Sequence, residues 1–438
     1  MVFDHHISAQ DQRLLDAVER QHVQYFLDEQ DPTTHLTLDR SRPGAPVSVA
    51  AVGFGLTTLP VGVERGWISR QQAADQTLSV LETLSRAPQG ETASGTSGAH
   101  GLFYHFLDPK TATRSNQSEL SPVDTALLMS GVLFARDYYT GDNAEETKIR
   151  QLADQLYRRV DWNWAMNGQP TMPTDWSPEH GFTATQWRGY NEGMIMMLLA
   201  IGSPTHPIPQ QSWNNFTSSD TVTRYGGKPF IEFAPAFGHQ YSHTWIDFRG
   251  IRDDENRKVG FDYFENSRRA ARAQNYYARK DPLHWRGYDK TNWGFTACDG
   301  PGDPVVGVPA QSRFLAYAAR GAPNGLDDGT IAPTGAIASL PFAPELVMPT
   351  LRNWKNNHPE LWTSHGFTDA FNPTADTSKP SGWVDPDTIG IDQGPIALQI
   401  ENYRSGLIWN TMKKDPYLVD GLRKAGFKGG WLSSKRGE

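Results

Sequence analysis

The feature that most constrains this chain is an alternation of two kinds of helical segment. One kind is apolar on nearly every side: Val47 to Val63, Val123 to Ala135, Met194 to Ile201, Ala336 to Leu346 and Ile396 to Ile408. The other carries a single apolar stripe, as in Ile149, Leu152, Leu156 and Val160. A helix that is apolar all round must be enclosed by protein, whereas a striped helix covers a core from outside. Pairing each enclosed segment with its striped successor gives 48–63 with 69–86, 121–137 with 144–161, and 190–202 with a segment after 207. The series continues as 240–250 with 262–280, 335–347 with 349–357, and 393–408 with 415–425. A further stripe, Leu14, Leu15, Val18, Tyr25 and Phe26, places an outer helix over 8–29, with Ser8 as its N-cap. The six pairs, six inner and six outer helices with 8–29 completing the outer ring, predict an all-α fold, a single (α/α)6 toroid with long functional loops at one mouth. The third and fifth outer helices carry the weakest stripes. Gln89 to Gly101 and Pro373 to Asp387 read as polar loops rather than linkers, so one domain over 1–438 is expected.

Composition closes several function classes. The 438 residues hold 41 Lys+Arg against 49 Asp+Glu, a formal charge of −8, with no basic block. That balance argues against nucleic acid and anionic membranes as partners. No apolar run approaches the length of a membrane span. Cys298 is the single cysteine, which excludes an intramolecular disulfide and a cysteine zinc site; it reads as a buried thiol. Met1 to His6 show no basic-then-apolar signal. The expected location is therefore the cytoplasm, or the periplasm or exterior if an export signal was trimmed. No dinucleotide fingerprint, phosphate loop or nucleophile elbow occurs, so no cofactor is expected.

Each enclosed segment is entered through a polar stretch. Asp39-Arg40 precede the first, Glu119 to Asp124 open the second, and Trp187 to Glu192 the third. His239 to His243, Asp327 to Thr330, and Ile391 to Gly394 introduce the others. In an alternating toroid the inner helices run parallel, so these entries gather at one mouth and line a cleft suited to a ligand. Acids at helix starts also serve as caps, and for Asp124, Glu192 or Asp392 taken alone capping is the leading reading, which the coincidence of six such entries at one end weakens for the set. Glu192 is the least easily dismissed, because it abuts the apolar run Met194 to Leu199. Desolvation there raises a carboxyl pKa, as a general acid requires, while the helix dipole lowers it.

His239 and His243 have metal-ligand spacing, but no accompanying glutamate completes the motif. Contacts to substrate or to a buried polar network are expected for them, and no metal. Asp327-Asp328-Gly329 lacks the ligand series of a calcium loop and reads as a turn. Of the 14 tryptophans, Trp176, Trp187, Trp293 and Trp383 fall in Pro/Gly/Asp-rich segments. Rings beside Asp, Asn, Gln, Arg and His suit a carbohydrate groove, with structural loop packing as the other reading.

Several long motifs carry a resemblance. Gly189-Tyr-Asn-Glu-Gly193, Gly202-Ser-Pro-Thr-His-Pro207 and Phe237-Gly-His-Gln-Tyr-Ser-His-Thr-Trp-Ile-Asp-Phe-Arg-Gly250 are three. Asp262-Tyr-Phe-Glu-Asn-Ser267, Trp293-Gly-Phe-Thr-Ala-Cys-Asp-Gly-Pro301, Ile391-Asp-Gln-Gly-Pro-Ile396 and Ile400-Glu-Asn-Tyr-Arg-Ser-Gly406 are the others. From about residue 12 to 432 the chain resembles the glycoamylase-like domain family, which includes the bacterial β-1,2-glucanases of glycoside hydrolase family 144. The resemblance implies an (α/α)6 barrel acting on β-1,2-glucan or its oligosaccharides, without a cofactor. Related domains of cyclic β-1,2-glucan synthases are transglycosylases. Carried over by motif, Glu192 matches the general acid and Asp392 the base, with Asp124 and Glu119 in a third acidic motif. Inversion is implied, the proton passing through a substrate hydroxyl or water. Asp39, Arg40, Trp187, Tyr190, Asn191, His239, His243, Trp293, Asp299, Trp383, Gln393, Tyr403 and Arg404 are the substrate-binding candidates.

Three functions follow. The first is an endo-β-1,2-glucanase releasing sophorose and short oligosaccharides, with exo release of sophorose or retaining transglycosylation as variants. The second is a polysaccharide lyase on the same toroid, with Tyr190 or Tyr241 as base, His239 or His243 assisting, and Arg40, Arg188, Arg249 and Arg404 meeting a uronate. The third is a glycan-binding protein without catalysis.

Overall fold

The protein is described here from a computed structural model, over residues 7–308 and 313–433. Met1 to His6, read above for an export signal, lie outside them. The helices are α1 Ala9–Asp28, α2 Val49–Glu64, α3 Arg70–Arg86, α4 Pro122–Tyr138, α5 Ala144–Arg158 and α6 Trp162–Met166. Next come α7 Met194–Gly202, α8 Gln211–Thr217, α9 Tyr241–Trp245, α10 Asp254–Val259 and α11 Tyr263–Lys280. The series closes with α12 Pro333–Ile337, α13 Pro344–Asn357, α14 Gly390–Arg404, α15 Leu407–Met412 and α16 Pro416–Lys424. Strands among the described residues form seven antiparallel two-stranded pairs, so the chain is mostly helical with small sheets in its loops. No helix among those residues is long and apolar enough to cross a membrane.

The ends of these helices follow local chemistry. Ser48, Ser121 and Asn143 cap α2, α4 and α5 through side-chain oxygens, and Ser69 with Gln72 forms a capping box on α3. Two expected inner helices are shorter than their apolar runs. The 240–250 segment yields only α9, because Asp247 captures the Arg249 backbone N–H at 3.1 Å and turns the chain toward Gly250, at φ 72°. The 335–347 segment is interrupted between α12 and α13, where Pro341 and Pro344 supply no backbone donors.

The chain divides into two compact units. The first holds residues up to Tyr25, Thr221–Thr244 and Phe264–Gly406. Its centre is α14, buried over almost its whole length. A helix enclosed on all sides must satisfy its polar side chains internally. Here Gln399 Nε2 donates to Gln240 O at 3.1 Å, Gln240 Nε2 to Gly335 O at 2.9 Å, and Asn402 Nδ2 to Thr244 O at 2.9 Å.

The second unit holds Phe26–Asp220, Trp245–Tyr263 and the chain from Leu407. Its helices approach through glycines. A Cβ on Gly53 of α2 would stand 2.3 Å from Leu127 O of α4, and one on Gly131 of α4 would stand 2.1 Å from Gly53 O. The same reciprocity joins α7 to α16, where a Cβ on Gly202 meets Tyr417 O and one on Gly421 meets Leu198 O, both at 2.1 Å. Backbones this close admit no side chain. Arg136 adds a buried ion pair to Asp415 at 2.7 Å.

Candidate active site

In the second unit, Glu192 ends a tight turn ahead of α7. Gly189 sits at φ 74°, a left-handed conformation that suits glycine. Asn191 clamps the turn, its Nδ2 donating to Arg188 O at 3.1 Å and its Oδ1 accepting from Gly193 N–H at 2.8 Å. Gly193, not Glu192, occupies the N-cap of α7, so the capping reading of Glu192 does not hold. Trp187 packs against this point, since a Cβ on Gly193 would stand 3.2 Å from the indole. Tyr190 is buried and stacks on Tyr263, with ring centroids 5.5 Å apart. Glu192 keeps part of its surface in solvent, yet its Oε2 is hidden. Burial raises its pKa to about 7, and the charge of Asp124 adds to the rise against its own backbone N–H.

Asp124 and Glu119 meet at a histidine that the sequence reading passed over. His105 Nδ1 contacts Glu119 Oε1 at 2.7 Å, and its Nε2 lies 3.8 Å from Asp124 Oδ1. Burial alone lowers the imidazole pKa, but Asp124, Glu119 and the field of Asp39 together lift it to about 9. His105 is therefore a cation at neutral pH, and its bond holds Glu119 below its ordinary value against the opposing effect of burial. Asp124 is not the cap of α4: its own N–H donates to the capping Ser121 Oγ at 3.2 Å, and its carboxylate accepts from that hydroxyl at 2.5 Å. Asp39 pairs with Arg40 at 3.0 Å. The structure thus gathers Asp39, Glu119 and Asp124 around His105, with Glu192 in the field of Asp124; His105 lies between short strands with no periodic signal to mark it.

In the first unit, Asp392 lies in the first turn of α14, 2% exposed. Its carboxyl is hydrogen-bonded to that of Asp369, which burial first, then the charges of Asp392 and Asp299, push far above the carboxylate range. Asp369 Oδ2 also accepts from Asp299 N–H at 2.8 Å. Asp385, 1% exposed, is raised to about 9 by burial, Asp369 and Asp299. Oxygens of Asp299, Asp385 and Asp387 come within 4.8 Å of one another, the group among the described residues whose spacing a cation could bridge. Protons on Asp369 and Asp385 lower the charge of this cluster at neutral pH. Asp369, Asp385 and Asp387 were missed in sequence because they stand singly in loops. Gln393 beside Asp392 donates to Phe367 O at 3.0 Å.

Other candidates are spent on structure. His239 is buried with Nε2 2.9 Å from Phe233 O, and burial lowers its pKa to about 4. His243 is wholly buried, with Nε2 3.0 Å from Ser267 Oγ. A break at Gln240 separates the two, so they do not share the helix that metal-ligand spacing assumed. Trp293 is wholly buried with its N–H on Thr350 Oγ1 at 2.9 Å, a core residue rather than a sugar platform. Trp383 donates to Val306 O at 2.9 Å and packs with Cys298. Arg404 pairs with Asp16 and Glu19, and Tyr403 packs in the core. The two lyase bases are buried, and the Tyr241 hydroxyl donates to Ile391 O at 3.0 Å.

A family model described as "Putative glucoamylase" matches residues 184–416, which include the Glu192 turn and Asp392. The chain belongs to the glycoamylase-like family. Among glycoamylase-like structures, one from Bacteroides uniformis is 32% identical, with TM-score 0.85, over 97% of this chain and 99% of that one. An endo-beta-1,2-glucanase from Chitinophaga pinensis, solved with sophorotriose and glucose, is 28% identical with TM-score 0.84, over 96% and 99%. An exo beta-1,2-glucooligosaccharide sophorohydrolase (non-reducing end) of Parabacteroides distasonis is 29% identical over 94% of this chain. The chain spans 58% of the length of that curated relative.

Proposed function

We propose that this chain is a glycoside hydrolase that cleaves β-1,2-glucan internally, with inversion, releasing sophorose and short oligosaccharides, and that it works as one (α/α)6 domain. The observation that carries the reading is Glu192, a carboxyl not used as a cap and held at about 7. A general acid needs a proton to give at working pH and a pKa near that pH. Glu192 protonates the glycosidic oxygen as the bond to C1 breaks. Asp392, the base that the family resemblance implies, takes the proton of the attacking water, directly or through a sugar hydroxyl. The hydrogen bond from protonated Asp369 to Asp392 supports that role, because it leaves the charge on the acceptor. The relatives named as β-1,2-glucan hydrolases support the substrate class.

Release of sophorose from the non-reducing end is the second reading, favoured by the name of the Parabacteroides relative. Incubation with linear β-1,2-glucan, followed by product size, separates the two. A ladder of oligosaccharides supports internal cleavage, sophorose from the first minutes supports the exo reading, and an unchanged polymer overturns both.

A further inference from the structure

One carboxyl beside the Glu192 turn has no part in the chemistry above. Asp220 lies just beyond α8, its backbone N–H donating to Thr217 O at 3.0 Å. Both of its carboxyl oxygens are hidden from solvent, and the Tyr190 N–H approaches them without completing a well-formed hydrogen bond. The carboxyl faces the first half of the turn. A Cβ on Gly189 would stand 3.9 Å from Asp220 Oδ1 and 3.3 Å from Ser219 Oγ, and Gly189 N–H donates to Phe216 O at 2.7 Å. The segment 216–220 therefore backs Gly189 and Tyr190, while Asn191 clamps the other half against Arg188 and Gly193.

The surroundings of Asp220 are hostile to a charge. Asp253 is already satisfied by Trp213 Nε1 at 2.8 Å, the Tyr263 hydroxyl at 2.9 Å and Asn256 N–H at 2.8 Å, so those donors are not offered to Asp220. Burial, then the charges of Glu255 and Asp253, raise the Asp220 pKa to about 8, against Tyr190 N–H and Lys258. Tyr263 also lies in its field. At neutral pH this side chain is a neutral acid.

We infer that Asp220 is a positioning residue for Glu192, its carboxyl buttressing the Gly189–Tyr190 peptide and so fixing the direction of the Glu192 side chain. This rests on the reading of Glu192 as general acid. The neutral form does the work, because an anion there faces Asp253 and Glu255 with a single weak donor, and its relief requires the turn to move. Two groups must then carry protons for full activity, Glu192 to donate one and Asp220 to keep the turn in place.

The test compares wild type, Asp220→Ala, Asp220→Asn and Glu192→Gln on linear β-1,2-glucan. Asp220→Ala is expected to lower kcat about tenfold or more with little change in KM, and Asp220→Asn, the neutral isostere, to restore most of that loss. Above about pH 8, log kcat/KM of wild type falls with a slope near −2, and that of Asp220→Asn with a slope near −1. The slope keeps the test valid even if Asp220→Ala fails to fold. Because the folded pKa lies above the unfolded one, wild type loses stability as pH rises from about 4 to about 8. Asp220→Asn lacks that loss and melts higher than wild type at the upper pH. A wild-type slope near −1, or an Asp220→Ala enzyme with unchanged kcat, overturns the inference. Wild-type turnover by Glu192→Gln instead overturns the assignment of the acid, a failure distinct from that of Asp220.

Discussion

Asp369 and Asp392 meet carboxyl to carboxyl in the first unit, with the proton on Asp369. Two buried acids in contact cannot both ionise cheaply, so one keeps its proton and donates to the other. Asp369→Asn preserves this arrangement, since an amide N–H can donate to Asp392 and its oxygen can accept from Asp299 N–H. We expect Asp369→Asn to keep turnover within about tenfold of wild type. The folded pKa of Asp369 lies above its unfolded value, so wild-type stability declines as pH rises above about 4. The melting-temperature advantage of Asp369→Asn should therefore grow from pH 4 to pH 7; a constant difference would remove the shared proton.

Glu192 must be protonated to act as an acid, so kcat/KM should fall as pH rises through about 7. Asp124 contributes to that value through its charge. Asp124→Asn is expected to move the alkaline limb to lower pH by a few tenths of a unit. Rate profiles between pH 5 and 9 check both statements, and a limb that stays in place would show that Asp124 only holds the capping Ser121 hydroxyl.

His105 stabilises in its charged form, and that contribution too declines as pH rises. Its folded pKa of about 9 exceeds the ordinary imidazole value, so its pairing with Asp124 and Glu119 stabilises fully below about pH 6 and is lost as pH rises through 9. The Glu119 side chain is 41% exposed, which screens the pair. His105→Phe should cost about 1–2 kcal/mol at pH 6 and little at pH 10, read from denaturant melts. A cost independent of pH would mean that only packing is lost.

The α2–α4 contact gives a steric prediction. A methyl on Gly131 would lie 2.1 Å from Gly53 O, and backbone cannot yield as a side chain can. Gly131→Ala should destabilise by about 2–4 kcal/mol. Thermal or urea melts test it, and a change below about 0.5 kcal/mol would show that the helices part freely.

Much of the helical framework was legible because all-round apolar runs and single stripes obey a simple period. The expected 48–63, 69–86 and 121–137 segments correspond to α2, α3 and α4 within a residue or two. What escaped was governed by contacts that no period encodes. Asp247 ends α9 early by accepting the backbone N–H of Arg249 on its carboxylate. Pro341 and Pro344 divide a run that hydropathy alone makes continuous. Within the candidate site, Glu192 stood out because a carboxylate beside Met194 to Leu199 breaks a pattern. His105, Asp220 and Asp369 stand outside the periodic helices, His105 between two short strands, and their importance arises from charges brought near them by folding. Trp293 was misjudged for the converse reason, since a Gly-rich stretch can still be driven wholly into a core.

The central claim is that Glu192 supplies the proton for cleavage of β-1,2-glucan. Its most direct test is the turnover of linear β-1,2-glucan by wild type and Glu192→Gln, measured as new reducing ends near pH 6, with circular dichroism to establish equal folding. The expected result is steady cleavage by wild type and a loss of about a thousandfold or more in the folded variant. A Glu192→Gln protein that cuts the glucan at nearly the wild-type rate would contradict the account.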